Sequence, residues 1–209
     1  MSSNEWTVKT CSKCFCSWKL PYNQEFKIVE LRKKNGRNGN LNLCHDCDVE
    51  KPLRIAFGHQ ARMGKDTCCD LLIQEISGEK VSFAAPLYDI LHFAQRTAGF
   101  AQEKDRGFLR SVADWAKAKD PDIWVRHLQE RIGFCRGNVF ISDLRFPNEM
   151  KMCKEQGFVT VKVKRNVPVD DSPSENALNG CSFDFEIENN GTIGDLRKKL
   201  LDIVEKIGK

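Results

Sequence analysis

Leu53–Leu72 reads LRIAFGHQARMGKDTCCDLL, and the fold class follows from it. Leu53 to Phe57 is a short apolar run that ends at a glycine, the pattern of a buried strand. Gly58 to Gly64 reads as a loop. From Lys65 to about Glu75 helical spacing takes over, with Leu71, Leu72 and Ile76 apolar. Strand, Gly-Lys loop and helix, in that order, is the setting a phosphate cradle requires. N–H groups at the start of the helix point at the anion, and the helix dipole adds partial positive charge there. Lys65 is placed to reach the outer phosphates of a nucleotide as a point charge. The usual spacing is Gly, four residues, Gly-Lys, then Ser or Thr. Here Gly58 lies one residue further upstream, so His59 stands in the first glycine's place. Asp66 follows the lysine where a Mg²⁺-binding hydroxyl is usual, and Thr67 comes one later. The expected nucleotide contacts are Gly58, Gly64, Lys65, Asp66 and Thr67.

Downstream of the loop, apolar runs and helical patterns alternate to residue 207, as in parallel βαβ units. Val81–Ala84 reads as a second strand. A helix opens at Ala85-Pro86, with Leu87, Ile90, Leu91 and Ala94 on its apolar face. Another spans Phe108–Ala118, with Leu109, Val112, Ala113 and Ala116 inward. Asp120 and Pro121 read as the cap and first position of the next helix, which carries Trp124, Val125, Leu128 and Ile132. Trp115 and Trp124 are both expected in the core, because large aromatics are mostly buried. Val139-Phe140-Ile141 has the continuous apolar character of a central parallel strand. It leads into Asp143 and Arg145, at the carboxyl end of a strand, where open α/β sheets bind ligands. Asp143 suits Mg²⁺, directly or through water, and Arg145 suits a phosphate. Phe158–Val163 is a further strand, leading through Lys164 and Arg165 into the polar loop from Asp170 to Asn176. Phe183–Glu188 alternates apolar and acidic residues, as an edge strand does. Thr192 caps a last helix, with Asp195 three residues on and Ile193, Leu196, Leu200, Val204 and Ile207 along one face.

At 209 residues the chain has room for one α/β domain of about 150 residues and a small appendage. The boundary falls at Glu50-Lys51-Pro52, giving a segment 1–52 and a body 53–209. Hydrophobic content of 41% and charged content of 30% fit a globular protein. No apolar run approaches the ~18 residues of a membrane span. MSSNEWTVKT lacks the apolar core of a signal peptide, so a cytoplasmic protein with no membrane partner is expected. A formal net charge of +4 makes no strong case for nucleic acid or an anionic membrane.

Ten cysteines are present, and four form two matched pairs, Cys11-Ser-Lys-Cys14 and Cys44-His-Asp-Cys47. Two CxxC turns bring four thiolates to one tetrahedral Zn²⁺, which leaves no open position and therefore implies structure rather than catalysis. Segment 1–52 is too small for a conventional core, so the metal is expected to supply much of its folding energy, in the manner of a zinc ribbon or treble clef. The remaining thiols suit a reducing compartment. Cys68 and Cys69, on the helix behind the loop, read as small packing residues. Nine basic and six acidic residues in 1–52 give only a weak nucleic-acid footprint.

Six segments together resemble the deoxynucleoside monophosphate kinases of bacteriophages: ARMGKDT (Ala61–Thr67), FAAPL (Phe83–Leu87), DPDIWV (Asp120–Val125), ISDLRFPNE (Ile141–Glu149), SPSE (Ser172–Glu175) and NNGT (Asn189–Thr192). They occur in that family's order across about 155 residues, and residues 1–52 lie outside the likeness. The resemblance implies a phosphate-loop kinase fold, with helices on both faces of a parallel sheet. It implies transfer of the ATP γ-phosphoryl group to a nucleoside monophosphate, with ATP and Mg²⁺ as cofactors and Lys65, Asp143 and Arg145 as the catalytic set. By the same resemblance Asp66 joins Asp143 on the Mg²⁺ side, and Arg165 and Ser172–Glu175 belong to a lid. Asn190 and Gly191 fall near the adenine, and a homodimer is common. Ser172 stands where that family often has histidine, and Lys117 and Lys119 lie where it often has arginine. Two other readings stay open at this point: a kinase for another small phosphorylated acceptor, and a zinc-mediated nucleic-acid or protein adaptor.

Overall fold

The computed structural model describes residues 6–10, 17–21, 52–168 and 173–208. Two short strands, β1 (Trp6–Thr10) and β2 (Ser17–Pro21), pair antiparallel, with Thr10 opposite Ser17 and their hydroxyls 3.2 Å apart. Cys11, Cys14, Cys44 and Cys47 lie outside the described residues, as do the segment between the two cysteine pairs and Ser172.

The body is built on five strands: β3 (Arg54–Gly58), β4 (Glu79–Val81), β5 (Val139–Leu144), β6 (Val159–Lys164) and β7 (Phe185–Glu188). They lie side by side in the order β4-β5-β3-β6-β7, and every pairing is parallel. The helices between them are α1 (Lys65–Ile76), α2 (Ala85–Ala98), α3 (Arg106–Lys119), α4 (Ile123–Phe134), α5 (Pro147–Glu155), the single turn α6 (Pro173–Asn176) and α7 (Ile193–Ile207). The first strand, β3, sits at the centre. From it the chain crosses to the edge strand β4, returns to fill the gap with β5, and then builds outward on the other side through β6 and β7. Where strand order reverses in this way, a crevice opens at the carboxyl ends.

Strand alternation assigns the two faces. Ile55, Phe57 and Phe140 point to the side covered by α1 and α7, where Leu72, Leu196 and Leu200 meet them. Ala56, Val139 and Ile141 point to the other side, against Val125, Leu128 and Ile132 of α4 and Met150 and Met152 of α5. A third cluster of Leu87, Ala116 and Trp124, with Leu109 and Val112 beside it, joins α2, α3 and the start of α4. The expected α/β architecture, a parallel sheet with helices on both faces, is what the chain forms. Among the described residues no helix is long and apolar enough to cross a membrane.

Asn138 ties this frame together. It is buried, its Oδ1 accepts the Leu53 N–H at 2.9 Å, and its Nδ2 donates to the Ile76 and Ser77 carbonyls at 3.0 Å each. One side chain thus fixes the approach to β3 and satisfies carbonyls that the end of α1 leaves open.

Several boundaries differ from expectation, each for a visible reason. Ser82–Ala84 is a turn rather than strand, because the Phe83 and Ala84 N–H groups turn toward Asp143. Asp120 does not cap α4. It closes α3, and its carboxylate accepts from the Asp122 N–H and pairs with Arg126, so α4 starts at Ile123. Trp115 is 63% exposed: on α3 the small Ala116 faces inward and the indole faces out, with Lys119 5.4 Å from its ring centre. Ile90 and Ile193 are also on outer faces, while Gln95 and Ile203 turn inward. The box expected at Thr192 and Asp195 forms, each side chain accepting the other's backbone N–H.

Candidate active site

The loop from Gly58 to Gly64 leaves the carboxyl end of the central strand and delivers Lys65 to the first position of α1. It is tightly constrained. A Cβ on Gly58 would lie 2.7 Å from the Phe183 ring, closer than carbon atoms approach. Gly64 has φ +96°, the left-handed region that suits glycine, and its Cα packs against the Asn189 amide. His59 and Arg62 also have positive φ, +92° and +62°. For residues with a Cβ such conformations cost about 1–3 kcal/mol each and gather at functional sites. The His59 Nδ1 is buried without a hydrogen-bond partner among the described residues, and burial and the Lys162 charge hold the imidazole below its ordinary pKa.

Lys65 is 6% exposed. Its ammonium folds back along the loop and donates to the His59 carbonyl at 3.1 Å and to the Gln60 carbonyl. Burial and the neighbouring Arg145 charge push its pKa down to about 8, against the opposing pull of Glu175, Asp143 and Asp66. Arg145, Glu175, Asp143 and Asp66 therefore all lie near enough for Lys65 to feel their charges.

Arg145 follows directly on the end of β5. The pairing of β3 with β5 slips between Ala56 and Gly58, so that β5 carries an extra residue just before Leu144. Such a bulge re-aims a side chain. Asp143 here turns toward the neighbouring β4–α2 turn, where Oδ1 accepts the Phe83 N–H and Oδ2 the Ala84 N–H, each at 3.0 Å. Burial raises its pKa, and these hydrogen bonds oppose the rise. Glu149 lies beside it and is also buried. It accepts the Arg145 and Phe146 N–H groups at 2.8 and 3.0 Å, which fixes the chain just where Arg145 departs. Burial and the Asp143 charge push Glu149 up to about 8. Lys117 sits 3.5 Å from the centre of the Phe146 ring and senses Glu149, so α3 contributes one lysine to this side of the site. Lys119, over Trp115, belongs to the outer surface.

Two further residues complete the cradle. Glu175, on α6, is 6% exposed; one carboxylate oxygen accepts the Ala61 N–H of the loop and the other pairs with Arg145. Asn189 donates through Nδ2 to the Met63 carbonyl at 2.9 Å, and its own N–H donates to the Lys164 carbonyl at 2.7 Å. It thereby pins the loop to the end of β6. The neighbouring Asn190 accepts the Asn166 N–H at 2.8 Å, and Gly191 packs closely on Asp195. Arg165 is exposed at this same edge. Asp66 is exposed and lies 3.7 Å from Lys80, which also binds Asp70 at 2.7 Å. Cys68 and Cys69 are fully buried, and burial pushes the Cys68 thiol up to about 12, so both are inert packing groups. Among the described residues no three His, Cys, Asp or Glu side chains gather as a metal centre.

Gly58, Gly64, Lys65, Asp143 and Arg145 thus meet at one edge of the sheet, while Asn190, Gly191 and Arg165 flank it. Glu175 and Asn189 sit inside segments the sequence reading singled out, yet their direct contacts to the loop were not foreseen. The sequence signals for them are the SPSE and NNGT segments themselves, which carry the resemblance but do not name the contact each side chain makes.

Fold and site define an α/β protein with a Gly-Lys loop at the carboxyl edge of a parallel sheet. No protein-family model matches the chain. It is 35% identical over 155 residues to "Uncharacterized protein ORF77" of Ictalurid herpesvirus 1 (strain Auburn), a match that covers 69% of this chain and 67% of that one. The chain belongs to the family of that herpesvirus protein. Among solved structures it is similar to a gluconokinase from Sinorhizobium meliloti 1021, with a TM-score of 0.45 at 11% identity over 75% of this chain and 93% of that one. A shikimate kinase from Aquifex aeolicus VF5 gives a TM-score of 0.45 at 15% identity over 75% and 98%.

Proposed function

We propose that the chain is an ATP-dependent kinase that phosphorylates a nucleoside monophosphate. The observation that carries this reading is the Glu175 carboxylate: the Ala61 amide and Arg145 already hold an oxyanion beside Lys65. A terminal phosphate presents the same kind of oxygen to the same donors. Amides at the start of α1 and the Lys65 ammonium would take the outer phosphates of ATP. Arg145 would lie against the transferring group and neutralise charge as it spreads over the equatorial oxygens. An acceptor phosphate oxygen attacks the γ-phosphorus, the bond from that phosphorus to the bridging oxygen breaks, and ADP leaves with the electron pair. The acceptor is already ionised, so no general base is required. The six segments that resemble deoxynucleoside monophosphate kinases support a nucleotide as the acceptor.

Mg²⁺ bound with ATP would neutralise charge on the phosphates. Asp143 and Asp66 are the carboxylates we assign to its waters, Asp143 from the end of β5 and Asp66 from the first turn of α1. We assign Cys11, Cys14, Cys44 and Cys47 to a structural Zn²⁺ on their spacing alone. Arg165, Asn190 and Gly191 are the proposed contacts on the nucleoside side of ATP.

ATP consumption is the direct test, run with a panel of ribo- and deoxyribonucleoside monophosphates and with non-nucleotide phosphorylated acceptors. Turnover with one or more monophosphates is expected. Turnover with only a non-nucleotide acceptor would keep the kinase and discard the nucleotide, and no turnover with any acceptor would remove the enzyme.

The Lys65 environment adds a second expectation. A triphosphate beside the ammonium favours its charged form, so binding must return its pKa from about 8 toward the ordinary lysine value. At pH 6 Lys65 is protonated with or without ATP, and binding takes up no proton at this group. At pH 9 the free site is mostly neutral and the bound site charged, so binding takes up about one proton. Calorimetric titration in two buffers of different ionisation enthalpy measures this. Equal apparent enthalpies in both buffers at pH 9 would count against Lys65 meeting the phosphates.

A further inference from the structure

Glu175 is nearly inaccessible, and its contacts are the donors a phosphate needs: the Ala61 N–H, the Arg145 guanidinium and the nearby Lys65 charge. The Ala61 amide has a single hydrogen to give. A γ-phosphate seated there would also bring its negative charge against the buried carboxylate, and like charges that close cannot both stay ionised in one site. Glu175 and the phosphate therefore exclude each other. The carboxylate stands on a four-residue turn, α6, whose neighbour Leu178 is 2% exposed and locked in the core beside α4 and α5. Asn179 donates back to the Asn176 carbonyl at 2.9 Å, so the chain beyond Glu175 is anchored, while among the described residues the Glu175 carboxylate is held by the cradle contacts described above.

We propose that Glu175 is a built-in substitute for the terminal phosphate, which fills the cradle when nucleotide is absent and is expelled when a polyphosphate binds. This rests on the loop being a nucleotide cradle and adds a selection rule to it. Orthophosphate gains only the donors that Glu175 gives up. A triphosphate gains in addition the amides at the start of α1, so it displaces the carboxylate where a lone phosphate does not. The apparent affinity for nucleotide is then lower than the intrinsic affinity by the fraction of molecules whose cradle is free.

Calorimetric titration of the full chain with ATP and with orthophosphate, in wild type and Glu175→Gln, tests this. If the cradle is free in about one molecule in ten, the neutral isostere binds ATP about tenfold tighter than wild type. It also gains measurable orthophosphate binding. Equal or weaker ATP binding by Glu175→Gln would overturn the proposal and make Glu175 a fixed brace for Arg145. If the variant fails to fold, backbone amide exchange in wild type decides. Residues 173–178 exchange faster on ATP addition if Glu175 is expelled, and unchanged or slower exchange overturns the proposal. If neither protein binds ATP, both the substitute and the cradle reading fall. If wild type binds and the variant is no better, only the substitute falls.

Discussion

Lys65→Met is expected to lower phosphoryl transfer by about a thousandfold, in line with removal of one preorganised donor to developing negative charge. The loss should fall on turnover and on ATP affinity together, because the ammonium serves bound and transferring phosphates alike. Stability should hardly change. A lysine whose folded pKa lies near 8 opposes folding below that pH, by an amount on the order of 3 kcal/mol that fades as pH rises toward the ordinary lysine value. Methionine removes that cost but leaves the His59 and Gln60 carbonyls without their donor. The two effects oppose, so the Tm should move by only about a few degrees. A variant that melts normally and no longer consumes ATP would assign Lys65 to chemistry. One that keeps wild-type turnover would remove it from the site.

Arg145→Ala carries the second large effect. A guanidinium against a transferring phosphoryl group is worth about 10³-fold or more in rate. Lysine at this position should recover little, because it lacks the planar fork that meets two oxygens at once. The variant also strands the buried Glu175 beside the loop amide without its cation. ATP binding and turnover should therefore respond differently: turnover collapses, while affinity changes far less. Single-turnover measurements at saturating ATP separate the two. Parallel losses in both would mean that Arg145 acts through nucleotide binding alone and adds nothing further in the transfer step.

How much of this was readable in the chain depends on the range over which each interaction acts. The strand–loop–helix unit around Gly64 and Lys65 was legible because every cue lies within about twenty residues: an apolar run, a Gly-Lys pair and then helical spacing. The box at Thr192 and Asp195 is local in the same way. The parallel sheet followed from the alternation of elements, although the order of its strands did not. What escaped was long-range. Asn138 reaches Leu53, Glu175 reaches Ala61 and Asn189 reaches Met63 across 85, 114 and 126 residues. No periodicity announces such a contact. Ser82–Ala84 looked like strand because Phe83 and Ala84 continue the apolar character of Val81, and only Asp143, sixty residues away, converts it to a turn. Trp115 was misplaced because size suggested burial, whereas on α3 the inward position went to Ala116.

The central claim is that the loop amides, Lys65 and Arg145 form one anion pocket. The most direct measurement is an ATP titration with Mg²⁺, followed by backbone and arginine side-chain nuclear magnetic resonance. Concerted, saturable shifts at Ala61, Gly64, Lys65 and the Arg145 guanidinium are the expected result. Saturable shifts that leave Gly64 and Lys65 unmoved, or that move the loop and not Arg145, would contradict it.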